Sequence, residues 1–135
     1  MTDVVIEALR QTPVDAQRVE LVERKGAGHP DSICDAIAEE VSLALCREYL
    51  AVAGRILHHN ADKGLLVAGH AEPRIGGGSV IEPMRLVLGD RATSELRRQH
   101  IDVGAVAEEA AGNWLRANLR FVDPTAPTFA MSLAT

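Results

Sequence analysis

The chain has 135 residues and a mass of 14.5 kDa, enough for one domain with a real core but short for an enzyme enclosing two substrates. Its 47% hydrophobic and 24% charged residues exclude a disordered composition, and aromatics at 3% leave the core to Ala, Val, Leu and Ile. A formal charge of −5 excludes a general nucleic-acid binder, whose affinity comes from Lys and Arg on phosphates, and no apolar run of about 18 residues predicts a membrane span.

In chain order, residues 3–9 (DVVIEAL) read as a first strand, followed by a polar connection through Pro13. Arg18 to Glu23 alternates, with Val19 and Leu21 on one face, and predicts a second strand that Lys25-Gly26-Ala27-Gly28 ends. From Pro30 the period becomes helical. Ile33, Ile37, Val41, Ala44 and Leu45 form one stripe, and Gly54 is the stop. Cys34 and Cys46, twelve residues apart on this helix, would stand about 18 Å apart along its axis, which excludes a disulfide and suits a reducing cytoplasm.

Beyond the helix, Arg55 to His59 reads as a short strand, Asn60 to Gly64 as a turn, and Leu65 to His70 as another strand. Glu72 to Ser79 is too rich in Gly and Pro for regular structure. Val80 to Leu88 resumes a strand, with Pro83 favouring an edge or a bulge. Thr93 to His100 predicts the beginning of a helical turn, and Asp102 to Leu119 a second helix with Asp102 as N-cap. Residues 1–122 are thus expected to form an α+β domain, a mixed or antiparallel sheet with helices on one face, and residues 123–135 an irregular tail.

Chemistry concentrates at His29-Pro30-Asp31. Proline suits the first helical turn, which puts His29 at the cap and Asp31 inside the turn. A helix N-terminus favours an anion, and Gly26 and Gly28 allow a bulky ligand to approach the backbone. His29 can donate to a phosphate oxygen, Asp31 can hold Mg²⁺, and Asp35, four residues on, adds a second carboxylate to the same helix face. Spacing alone leaves a second reading open: an acid in a first turn and a capping histidine are also explained by the helix dipole. His58, His59, Asp62 and His70 resemble a metal-ligand set, but neighbouring histidines on a strand face opposite ways. Gly76-Gly77-Gly78 lacks the Lys-Ser or Lys-Thr of a phosphate loop and reads as a loop or bulge. Cys34 reads as a buried thiol.

These residues also carry a resemblance. VELVERKGAGHPDSICDAIAEEVSLALC, then ILHHNADKGLLVAGHAEPRIGGGSVIEPMRLVLGDRAT, resemble the N-terminal part of the archaeal-type S-adenosylmethionine synthetases (methionine adenosyltransferases), over about residues 1–120. The resemblance implies adenosyl transfer from ATP to the sulfur of methionine, then hydrolysis of the bound triphosphate. It implies that His29 assists the departing triphosphate, that Asp31 ligates Mg²⁺, that Glu23 lies near the ATP and metal site, and that Lys25 contacts phosphate. Some members bind K⁺, for which no ligand is assignable in this sequence. Members are about three times longer, have three similar domains, and place the site between subunits, with triphosphate-gripping lysines in later segments. DPTAPTFAMSLAT does not look like the family's continuation.

Three readings follow. The chain is part of a cytoplasmic synthetase that acts as a homo-oligomer or with a complementary chain; or a non-catalytic paralogue that binds a full-length synthetase; or a stand-alone nucleotide-binding module.

Overall fold

The computed structural model describes residues 4–96, 99–120 and 128–134, with backbone alone at residue 90 and over 128–134. Helix α1 spans Pro30–Ala53, about 36 Å at 1.5 Å per residue. Ile33, Ile37, Val41, Leu45 and Tyr49 recur at helical spacing and are buried, so the predicted stripe is the packed face; Ala44 lies at its margin. Gly54 ends the helix in the left-handed region (φ 67°), and its N–H donates to the Leu50 carbonyl at 3.0 Å. Helix α2, Val103–Asn118, begins at Asp102, whose carboxylate accepts from the Ala105 N–H at 3.0 Å. Its buried line is Val103, Ala107, Ala111 and Leu115, with alanines at the two middle positions.

Strands β1 (His59–Val67) and β4 (Arg85–Ala92) pair antiparallel, and β7 (Thr128–Ala134) adds to β4 in parallel, giving a mixed sheet of order β1-β4-β7. Leu86 and Leu88, two residues apart on β4, are buried in one core with both helices' apolar faces, Leu57 and Ile101. The fold is therefore α+β, with the helices over one face of the sheet. Leu65, on the opposite face and paired with Val87, stays exposed. On the covered face, Gly64 lies so close to α1 that a Cβ there would meet Cys34 Cβ at 3.0 Å. The one Trp, Trp114, lies half-buried in an open groove of about 630 Å³ between the helices, flanked by Glu40, Arg47, Glu48 and Glu109. Among the described residues no helix is long and apolar enough to cross a membrane.

Several predicted elements differ. Residues 4–29 carry one 3-10 turn, Val14–Ala16, and neither expected strand; Asp3 lies outside the described residues. Alternation at Val19 and Leu21 marks a chain able to extend, but a strand needs a paired neighbour, and both side chains are exposed. The expected turn at 60–64 is instead inside β1. A break in register between Asn60 and Lys63 absorbs the turn-forming Ala61 and Asp62 as a bulge. Glu72 to Ser79 is regular after all: β2 (His70–Arg74) and β3 (Gly77–Glu82) form a hairpin closed by Gly76 at φ 84°. Pro83 separates β3 from β4 rather than lying within one strand. The expected helical turn at 93–100 is a small hairpin of β5 (Glu95–Leu96) and β6 (Gln99–His100). Of the expected irregular tail, residues 128–134 are the parallel strand β7.

Candidate functional site at the start of the long helix

The chain enters α1 through Gly26, Ala27 and Gly28, with the His29 N–H donating to the Gly26 carbonyl at 3.0 Å. His29 is the N-cap, Pro30 opens the helix, and Asp31 lies in the first turn. The cap is made by the ring: His29 Nδ1 accepts from the Asp31 N–H at 3.2 Å. An accepting Nδ1 leaves the ring's hydrogen on Nε2, so capping and donation to a ligand oxygen are compatible in one histidine. The cap therefore leaves Nε2 outside the helix's own hydrogen bonding.

Asp31 is held by a second group. Lys25 Nζ donates to its Oδ2, and both side chains are more than half exposed. The hydrogen bond from Lys25, followed by its charge, keeps the Asp31 carboxyl below its ordinary range. Reciprocally, the bond to Asp31, then its charge, raises Lys25, with a smaller electrostatic contribution from Asp35. Lys25, His29 and Asp31 thus meet at one corner as a cation, a capping imidazole and a carboxylate, while Asp35, one turn further along α1, acts on the Lys25 charge only as a lesser electrostatic influence. Glu23 lies two residues before Lys25 on the exposed lead-in. Gly26 and Gly28 have no protein atom within 4 Å of a would-be Cβ, so no protein neighbour demands a glycine at either position.

Asp35 also borders a cleft of about 320 Å³ formed by α1 and the start of β1, with Glu39, Ser42, His59, Asn60 and Asp62. The two neighbouring histidines part as expected. His58 is exposed and His59 turns toward the helix, where Ser42 and Cys46 meet it. That meeting was not legible in the sequence, because it depends on which β1 residue faces α1. Cys34 is buried and both cysteines are free.

The fold is thus an α+β layer whose long helix opens with a His-Pro-Asp corner. The sequence profile of the S-adenosylmethionine synthetase (AdoMet synthetase) family matches residues 2–132, and the chain belongs to this family. The match extends through most of the tail that the sequence reading set apart. The chain is 49% identical over 121 residues to the S-adenosylmethionine synthase of Methanosarcina acetivorans and 50% identical over 121 residues to that of Pyrococcus furiosus. Each alignment covers 90% of this chain and 30% of the relative. With the synthase of Methanothermobacter thermautotrophicus, identity is 47% over 123 residues, or 91% of this chain and 31% of the relative. The chain thus spans about 30% of the length of the curated relatives it matches.

Proposed function

We propose that this chain supplies the His-Pro-Asp corner of an S-adenosylmethionine synthetase, where Mg-ATP is held for adenosyl transfer to methionine, and that further segments or a partner chain complete the site. The observation that carries the reading is the convergence of Lys25, His29 and Asp31 at the exposed start of α1 in a chain of this family.

The donor set fits Mg²⁺, a hard ion that takes one or two carboxylates together with phosphate oxygens and keeps several waters. Asp31 and Asp35 would hold it, with Asp31 exchanging its Lys25 partner for the ion. When bound, the ion neutralises charge on the triphosphate. The chain's own residues supply the rest of the corner. Lys25, kept charged, offers an ammonium to phosphate oxygens once Asp31 releases it. His29 donates from Nε2 to the triphosphate as the ribose C5′–O bond breaks and the methionine sulfur bonds to C5′. Gly26 and Gly28 leave the approach to this backbone open. Glu23 lies near the same corner, and a homo-oligomer or a complementary chain brings the remaining phosphate contacts.

The test is mass-spectrometric detection of S-adenosylmethionine after incubating the chain with ATP, methionine, Mg²⁺ and K⁺. It is run alone and with a chain corresponding to the remainder of a relative. Product in the mixture, lost in His29→Ala and Asp31→Asn, supports the reading. Product from the chain alone overturns the need for further segments, and unchanged Mg-ATP binding in both variants removes the corner from the site.

A further inference from the structure

Halfway along α1, away from the capping corner, lies a second cluster of reactive groups. Ser42, Cys46 and Tyr49 occur at intervals of about one turn and face His59, the first residue of β1. His59 Nδ1 is 3.0 Å from the Leu57 carbonyl oxygen. A carbonyl can only accept, so Nδ1 carries the ring hydrogen and Nε2 presents its lone pair. That lone pair lies 3.0 Å from Ser42 Oγ and 3.8 Å from Cys46 Sγ. The Tyr49 ring, centroid 5.5 Å away and tilted by 57°, walls the imidazole on one side. One oriented base therefore faces two protonated nucleophiles, and of the two the thiol ionises far more readily than the hydroxyl.

The two cysteines of the chain are differently placed. Cys34 is buried in the core, and burial pushes its thiol pKa up. Cys46 is only half-buried, and the cleft that Ser42 and His59 line is bordered by Asp35, Glu39 and Asp62.

We propose that Cys46 is a thiol–disulfide exchange site for small disulfides, with His59 as the base that takes its proton. In the exchange, the Cys46 S–H proton passes to His59 Nε2 and the thiolate attacks one sulfur of the disulfide R–S–S–R. A Cys46–S–S–R bond forms as the old S–S bond breaks, and the departing R–S⁻ takes the proton back from the imidazolium. Ser42 competes for the same lone pair, so its hydroxyl restrains the thiol instead of activating it. This inference is independent of the adenosyl-transfer reading and needs no nucleotide.

The experiment treats the full chain at neutral pH with cystamine and follows the mixed disulfide on each cysteine by peptide mass spectrometry. Cys46 is expected to react about tenfold or more faster than Cys34. His59→Asn, which keeps a donor for the Leu57 carbonyl but removes the base, should slow Cys46 about tenfold with an unchanged far-ultraviolet circular dichroism spectrum. Ser42→Ala, which frees the Nε2 lone pair, should raise the Cys46 rate. Label arriving first at Cys34, a wild-type rate in folded His59→Asn, or a Ser42→Ala rate at or below that of the wild type each overturns the proposal. Should His59→Asn fail to fold, the order of labelling and the Ser42→Ala rate decide it.

Discussion

Gly64→Ala tests how tightly the sheet positions α1, and hence the corner at its start. A methyl group at residue 64 would lie 3.0 Å from Cys34 Cβ, 3.4 Å from its Sγ and 3.5 Å from its Cα. Carbon atoms in comfortable contact stand about 3.5–4.0 Å apart, so helix or strand must give by a few tenths of an ångström at this point. Cys34 lies between the helix start and Ile37, which is fully buried, so no flexible side-chain end is available to absorb the shift. Overpacking of this kind costs about 1–3 kcal/mol, partly offset by about 0.5–1 kcal/mol from alanine's smaller loss of backbone freedom. The expected net loss is about 0–2.5 kcal/mol, centred near 1 kcal/mol, which lowers the midpoint by about 4 °C at the centre of the range for a domain of this size. Thermal and urea unfolding followed by circular dichroism measures it. Gly77→Ala is the control, since a Cβ there meets nothing within 4 Å and its φ is not positive, so it should be near neutral. Gly64→Ala more stable than the wild type would refute the close packing of α1 on β1. Cys34→Ala should not rescue it, because the nearest clash is with Cβ, which alanine retains.

Three further outcomes are expected. Tyr49→Phe removes a hydroxyl that donates to the Thr93 carbonyl at 2.9 Å from a fully buried ring, and should cost about 1–2 kcal/mol in urea unfolding. Asp102→Ala removes the α2 cap and should cost about 1 kcal/mol, read in the same assay. For pH, Asp31 has a folded pKa depressed by Lys25, so the contribution of the pair is present above the unfolded value and fades as pH falls through the lower, folded one. A carboxyl-carbon NMR titration should therefore place the Asp31 midpoint below that of an ordinary aspartate, and Lys25→Met should move it upward; an unmoved midpoint contradicts the pairing.

Helix α1 was legible in the sequence because its stripe, its proline start and its glycine stop are all local. The capping role of His29 was legible for the same reason, whereas the Lys25–Asp31 contact requires the lead-in to fold back by six residues. Strand reading failed where pairing decides. Val19 and Leu21 alternate like a strand and are unpaired, while Asn60 and Asp62 look like a turn and are carried within β1 because β4 holds the residues on both sides of the bulge. The tail shows the converse. Phe129, Met131 and Leu133 alternate with Thr128, Ala130 and Ser132, a period hidden by the prolines before it, and β4 supplies the parallel partner in register. The Ser42–His59–Cys46 meeting is invisible to any local reading, since it spans 17 residues and two elements.

The position of Trp114 fixes what the protein's intrinsic emission can report. The chain has a single Trp, and the part of α1 that faces it, Glu40 to Ala51, lies about 15–30 Å along the helix from the capping corner. Nucleotide arriving at His29 and Asp31 should leave the emission unchanged while the helices keep their docking. A spectral shift on adding Mg-ATP would accordingly register movement of α2 against α1, a long-range response rather than occupancy, and affinity at the corner is better followed by a probe placed on the lead-in.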